Sequence, residues 1–265
     1  MIWPWVVLGA AVVGLGTFLY WALWITEGAY LGRRVVARIY DWTPGYYDRI
    51  KETTWVRDDE CIAEPMLAWL AGVSNPLILD VGTGTGRFPL AMLAEARFKG
   101  RVWGVDLSIG MLRRAAERLK PYGERCTLIW EDADVLPFRD ETFDALACLE
   151  TLEFTPDPLH TLSELMRVLR PGGVLLITNR IGRARWFPGR TYDEETLIDV
   201  LCDYPLSKLE IHSWNTFYDQ VWLRKHGETS REGRGAERVS DWLNVAGELV
   251  ELSENGVPTG IVRLA

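Results

Sequence analysis

Three acids in this chain each follow an apolar run. Asp80 follows Leu77-Ile-Leu, Asp106 follows Val102-Trp-Gly-Val, and Asp132 follows Thr127-Leu-Ile-Trp-Glu131. Between the first two lies Gly82-Thr83-Gly84-Thr85-Gly86-Arg87. Glycines in such a turn reach φ values closed to other residues and let the main chain approach a ligand closely. A carboxylate ending the second strand can accept hydrogen bonds from both hydroxyls of a ribose. An Asp at the third strand edge can accept from an adenine amino group, while the adjacent N–H donates to a ring nitrogen. The set points to a nucleoside-bearing cofactor at the C-terminal edge of a sheet.

Two cofactor classes use such turns. Dinucleotides call for G-x-G-x-x-G/A, with the pyrophosphate on a helix N-terminus. Here Arg87 stands where the third small residue belongs. S-adenosylmethionine has no pyrophosphate, and Asp80 suits its ammonium group, directly or through water.

The elements that must hold these groups alternate regularly. Strands are expected at 77–81, 101–106, 127–130, 143–149 and 173–178, with helices at 88–97, 109–119, 159–169 and 194–203. Two further strands, 209–213 and 216–223, are separated by a short turn and should pair antiparallel. Apolar strands alternating with helices predict an α/β fold: a doubly wound, Rossmann-like seven-stranded sheet, mostly parallel with an antiparallel last strand. One transmembrane helix precedes it.

These residues resemble the class I S-adenosylmethionine-dependent methyltransferase family, in particular its small-molecule and quinone-type members. Asp80-Val-Gly-Thr-Gly-Thr-Gly86 is similar to the family's first motif, and residues 105–112 (VDLSIGML) to its acidic second motif. Residues 131–146 are similar to the adenine-side motif and fourth strand, and 167–173 (RVLRPGG) to the approach to the fifth strand. The resemblance spans roughly 75–180 of a catalytic domain expected at 74–225. It implies methyl transfer from S-adenosylmethionine, with Asp80, Gly82, Thr83, Gly84, Gly86, Asp106, Leu107, Met111, Asp132 and Ala133 lining the cofactor site. One departure stands out. Residues 150–158 (ETLEFTPDP) look like a family stretch that carries a His where Phe154 stands here. Losing that imidazole leaves no expected metal site. Glu150 and Glu153 are expected to cap or face solvent.

Residues 2–24 contain no charged side chain. Twenty-three residues at about 1.5 Å each span roughly 34 Å, enough for a hydrocarbon core of about 30 Å. Trp3 and Trp5 at one end and Tyr20, Trp21 and Trp24 at the other fit the two interfacial belts. A cleaved signal fits badly, because no basic residue precedes the run and no small-x-small site follows it. Arg33, Arg34 and Arg38 follow the run and place the catalytic domain in the cytoplasm. The expected order is an anchor at 1–25, a juxtamembrane helical segment at 26–73, the catalytic domain at 74–225, and a polar linker with a possible hairpin at 226–265. The net charge of −8 argues against nucleic acid as a partner. The four cysteines are isolated and suit a reducing compartment.

No catalytic residue stands out. His160, His212 and His226 lie in no recognisable catalytic motif and read as structural. The acceptor site should form from Tyr40, Trp42, Tyr46 and Tyr47 and from the arginine- and aromatic-rich stretch 180–190. Beside a membrane anchor, that favours a lipophilic or membrane-associated acceptor such as a quinone or lipid. A non-catalytic S-adenosylmethionine-binding membrane protein and a protein methyltransferase stay open as alternatives.

Overall fold

A computed structural model describes residues 3–55, 58–229, 231–233, 250–251 and 262–263. Its centre is a sheet of β1 (Leu77–Val81), β2 (Arg101–Asp106), β3 (Cys126–Trp130), β4 (Phe143–Cys148), β5 (Leu169–Arg180), β6 (Leu206–Ser213) and β7 (Tyr218–Lys225). The strand order is β6-β7-β5-β4-β1-β2-β3, and two-residue pieces β8 (Val250–Glu251) and β9 (Val262–Arg263) continue it beyond β3. Pairings among β1 to β5 are parallel, and β7 runs antiparallel to both its neighbours. This is the doubly wound, Rossmann-like sheet expected from the alternation.

The central strands β1 and β4 are buried along their whole length because both faces of the sheet are covered there. Leu77, Leu79 and Val81 enter one core cluster and Ile78 the other, as do Leu175 and Ile177 against Val174 and Leu176. The helices on these faces include α5 (Arg87–Ala94), α6 (Ile109–Leu119), α7 (Pro158–Val168) and α8 (Glu194–Cys202). Three are started by side-chain caps: Ser108, Asp157 and Asp193 each accept from a main-chain N–H of the first turn. Away from the ligand edge, buried Asp144 pairs with Arg170 and also accepts from the Leu77 N–H at 2.6 Å.

At the N-terminus α1 (Trp3–Tyr20) continues through a wide turn at Trp21–Ile25. Together Trp3–Ile25 are long and apolar enough to cross a membrane, and almost all of that surface is exposed. The helix base is docked on the 180–190 segment: Trp21 Nε1 donates to the Trp186 carbonyl at 3.3 Å and the Tyr30 hydroxyl to the Pro188 carbonyl at 2.8 Å. Then α2 (Arg33–Trp42) and α3 (Pro44–Trp55) break at Pro44, followed by α4 (Glu64–Trp69). These segments reach over the C-terminal edge of the sheet. Asp41 accepts from Ser108 Oγ and Gly110 N, Asp48 from Thr85 Oγ1 and Arg114, and Asp58 holds Arg87 through two bonds of 2.7 Å.

The start of the expected linker is tied to the domain rather than free. Thr229 Oγ1 donates to the Gly172 carbonyl, and Ser74 donates its N–H to the Arg231 carbonyl and accepts from the Gly233 N–H. Residues 234–241 of that linker, and the turn expected around Glu254-Asn255-Gly256, lie outside the described residues. The pieces β8 and β9 pair parallel.

Candidate cofactor and acceptor site

The glycine turn leaves β1 with Gly82, Gly84 and Gly86 all in the left-handed region, at φ 73°, 54° and 83°. A β-carbon on Gly82 would collide with the Thr151 side chain, whereas one on Gly84 would meet nothing. The Gly82 and Thr83 N–H groups donate to the Val105 carbonyl at 2.8 and 3.0 Å, which pins the turn to β2. Asp106 fixes it further: one oxygen accepts from the Gly84 N–H and the other from the Ser108 N–H, both at 2.8 Å.

Beside the turn lies a cavity of about 570 Å³. Of the ten residues expected at the cofactor, Gly82, Gly84, Asp106, Leu107, Met111, Asp132 and Ala133 line it. The other three lie behind them. Asp80 is 2% exposed beneath the turn, Thr83 is buried against Gly104, and Gly86 starts α5 against Leu119. Burial raises the Asp80 carboxyl to about 7, with Asp106 adding to the shift. Burial likewise raises Asp106 to about 6, opposed by the Ser108 and Gly84 N–H groups. Asp132 is held by Arg33 of α2 at 2.6 Å, a contact with no local sequence signal.

The opposite wall is largely apolar and comes from the N-terminal segments and late loops. It includes Leu23, Trp24, Ile39, Tyr40, Tyr47, Phe154, Phe217 and Tyr218. Tyr40 meets Tyr47 and Phe154 edge-on, each with ring centroids 6.2 Å apart. The expected acceptor residues therefore divide: Tyr40, Tyr46 and Tyr47 line the cavity, while the Trp42 side chain is 86% exposed. From the 180–190 stretch, Arg180 and Arg183 reach it.

Of Glu150 and Glu153, expected to cap or face solvent, neither faces solvent. Glu150 stands at φ 52° and pairs with Arg87 at 3.1 Å. Glu153 is 2% exposed, accepts from the Tyr218 hydroxyl at 2.5 Å and pairs with Arg180. Among the described residues no three His, Cys, Asp or Glu gather as a metal site. The histidines stay away from the cavity: His160 Nε2 bonds the Asp134 carbonyl and His212 pairs with Glu210. Sequence reasoning missed Glu27, Arg33, Phe217 and Tyr218 as cavity or site-edge groups. Their placement depends on packing between segments far apart in the chain.

The donor set fits an adenosyl sulfonium compound. Acids end three successive strands, the glycine main chain is open on one side, and Leu107, Met111 and Ala133 supply apolar surface for a base. Fold and site together define a nucleoside-cofactor enzyme built on a doubly wound sheet.

Comparison with known proteins narrows this. A profile of the methyltransferase domain matches residues 79–177. A demethylmenaquinone methyltransferase of Clavibacter sepedonicus is 33% identical over 231 residues, covering 86% of this chain and 88% of that protein. A ubiquinone/menaquinone biosynthesis C-methyltransferase of Roseobacter denitrificans is 32% identical over 155 residues, covering 58% of this chain and 61% of that protein. Among solved structures, a SAM dependent methyltransferase from Aquifex aeolicus shares the fold with a TM-score of 0.55 at 22% identity, over 68% of this chain and 97% of that one. The chain belongs to the class I S-adenosylmethionine-dependent methyltransferase family. It is an enzyme, and its methyl donor is S-adenosylmethionine.

Proposed function

We propose that the protein methylates a lipophilic, membrane-associated acceptor of the quinol type, from a catalytic domain held at the cytoplasmic face by Trp3–Ile25. The observation that carries this is the make-up of the cavity wall. Leu23 and Trp24, from the last turn of the apolar helix, line the same cavity as Gly82, Gly84 and Asp106. An acceptor carrying an apolar tail can leave the tail along that helix while its head reaches the cofactor. Exposed Ile181, Trp186 and Phe217 beside the helix base extend the apolar rim, and such surface favours an interface with lipid. Arg34 and Arg38, both exposed on α2, keep the positive flank expected on the cytoplasmic side. The relatives named for quinone methylation support the same acceptor class.

When bound, the cofactor supplies an electrophilic methyl group. In this reading Asp106 accepts from the ribose hydroxyls, Asp132 faces the adenine amino group, and Asp80 answers the ammonium through the turn. Gly82 and Gly84 admit the chain of the cofactor. Leu107, Met111 and Ala133 sandwich the base. The remaining work is alignment and exclusion of water.

The test is incubation of the full chain, in lipid vesicles, with methyl-labelled cofactor and extracted membrane lipids. Label is expected in the organic phase on a quinol. Label confined to water-soluble products or to protein would overturn the acceptor assignment.

A further inference from the structure

We infer that Glu27 and Tyr40 form the proton-accepting site of the reaction, and that the acceptor presents an aromatic hydroxyl to Glu27. This rests on the proposed methyl transfer at the same cavity.

Glu27 follows the apolar helix in a left-handed conformation, φ 49°, which is strained for a non-glycine residue. The surrounding turn enforces it. The Gly28 N–H donates to the Ala22 carbonyl at 2.8 Å, and Gly28 itself, at φ 81°, packs so tightly that a β-carbon would come within 3.0 Å of Val35. The result is a carboxylate lining the cavity, with Oε2 accepting from the Tyr40 hydroxyl at 2.5 Å.

The other acids lining the cavity are engaged differently. Asp106 accepts from two main-chain N–H groups, Asp132 pairs with Arg33 and Glu150 with Arg87. Glu131 accepts from the Asp132 N–H. Those partners already occupy carboxylate oxygens of these acids, in the glycine turn or in ion pairs. Glu27 has a neutral phenol as its hydrogen-bond partner, and Arg180 acts on it through charge. Burial and Glu27 itself hold the Tyr40 phenol well above its usual range, so Tyr40 keeps its proton and donates to Glu27. The aromatic edges of Tyr40, Tyr47 and Phe154 suit a flat ring lying beside the dyad.

The step balances without a further reagent. The acceptor's O–H proton passes to the Glu27 carboxylate. The electron pair released, on oxygen or delocalised to an ortho ring carbon, forms the bond to the methyl carbon as the methyl–sulfur bond breaks and its pair stays on sulfur. Where carbon is methylated, its hydrogen then returns to oxygen by tautomerisation. Glu27 gives its proton to water.

Charged and titratable groups facing Glu27 are Tyr40 from α2, Tyr47 from α3, Glu150 after β4, Arg180 from β5, and Arg183 and Tyr218 beside it. The experiment uses the full chain in lipid vesicles with Glu27→Gln and Tyr40→Phe, and a quinol series whose hydroxyl acidity is raised by ring halogens. S-adenosylhomocysteine binding is measured alongside. Glu27→Gln is expected to lower kcat, at saturating cofactor, by about 10²–10⁴-fold. Its binding of S-adenosylhomocysteine stays that of the parent, and the defect shrinks as the acceptor becomes more acidic. Tyr40→Phe is expected to lower kcat by a smaller factor, with the same dependence on acceptor acidity. Overturning results are a Glu27→Gln kcat within about threefold of the parent, or a defect equal across the series. A raised KM for an amine acceptor with kcat intact would also overturn it, making Glu27 a cation clamp. Failure of the parent to bind S-adenosylhomocysteine would instead strike the underlying site reading.

Discussion

Asp80 and Asp106 are acids whose burial works against their charge, so pH acts on them before any acceptor arrives. Both carboxyls are raised in the folded chain, to about 7 and about 6, from an ordinary 3.8. A raised acid binds more protons folded than unfolded across that window. The unliganded fold therefore loses stability as pH climbs from about 4 through 7. A cationic ligand reverses the preference by favouring the carboxylates. S-adenosylmethionine affinity should rise from pH 5 to pH 7.5, with proton release into solution. Calorimetry in two buffers of different ionisation enthalpy checks both, and affinity that is flat or falls with pH would contradict it. At this scale the sequence was informative about type and less so about posture. The acids at 80, 106 and 132 were legible from the apolar runs before them. That Asp80 lies behind the turn while Asp106 and Asp132 face the cavity was not, because both postures fit the same strand-end position.

Among the elements, α2 does more than connect the apolar helix to the domain. It brings Arg33 onto Asp132, Asp41 onto the first turn of α6, and Tyr40 into the cavity. Positive-inside reasoning used Arg33 as part of the cytoplasmic flank, yet in the fold it pairs with the acid proposed for the adenine. The Arg33 side chain is half exposed, and ion pairs of that kind contribute about 0–1 kcal/mol. Arg33→Ala should therefore tighten S-adenosylhomocysteine binding, by up to about fivefold, by freeing Asp132. Isothermal titration checks this, and weaker binding would show that Arg33 serves the cofactor instead of competing with it. Strands and helices of the central domain were readable because each is buried on a fixed period. Contacts between α2 and α6 were not, since they join residues nearly seventy positions apart.

For the whole molecule the decisive relation is between the apolar helix and the cavity. Trp21 and Tyr30 bind carbonyls of the 180–190 segment, with their rings stacked at 5.0 Å between centroids. Arg190 lies over Tyr30 and reaches the Thr155 carbonyl. The helix base is thus part of the cavity wall as well as the proposed tether. Full-length protein expressed in a bacterium should sediment with membranes and stay there through high salt and alkaline carbonate. Release by salt alone would mean an electrostatic surface association, and release by carbonate would remove the spanning helix.

By itself the sequence determined the features written locally. These are the glycine turn that only glycine φ values permit, the acids at strand ends, the apolar strands of a doubly covered sheet, and a helix apolar on every side. Only the tertiary structure decided which groups share the cavity. Glu27, Tyr40, Arg33, Glu153 and Tyr218 gain their roles from partners 13 to about 100 residues away. No local periodicity encodes such pairings. They follow from how the N-terminal helices and the 180–190 segment close over the edge of the sheet, where burial sets which charges must find one another.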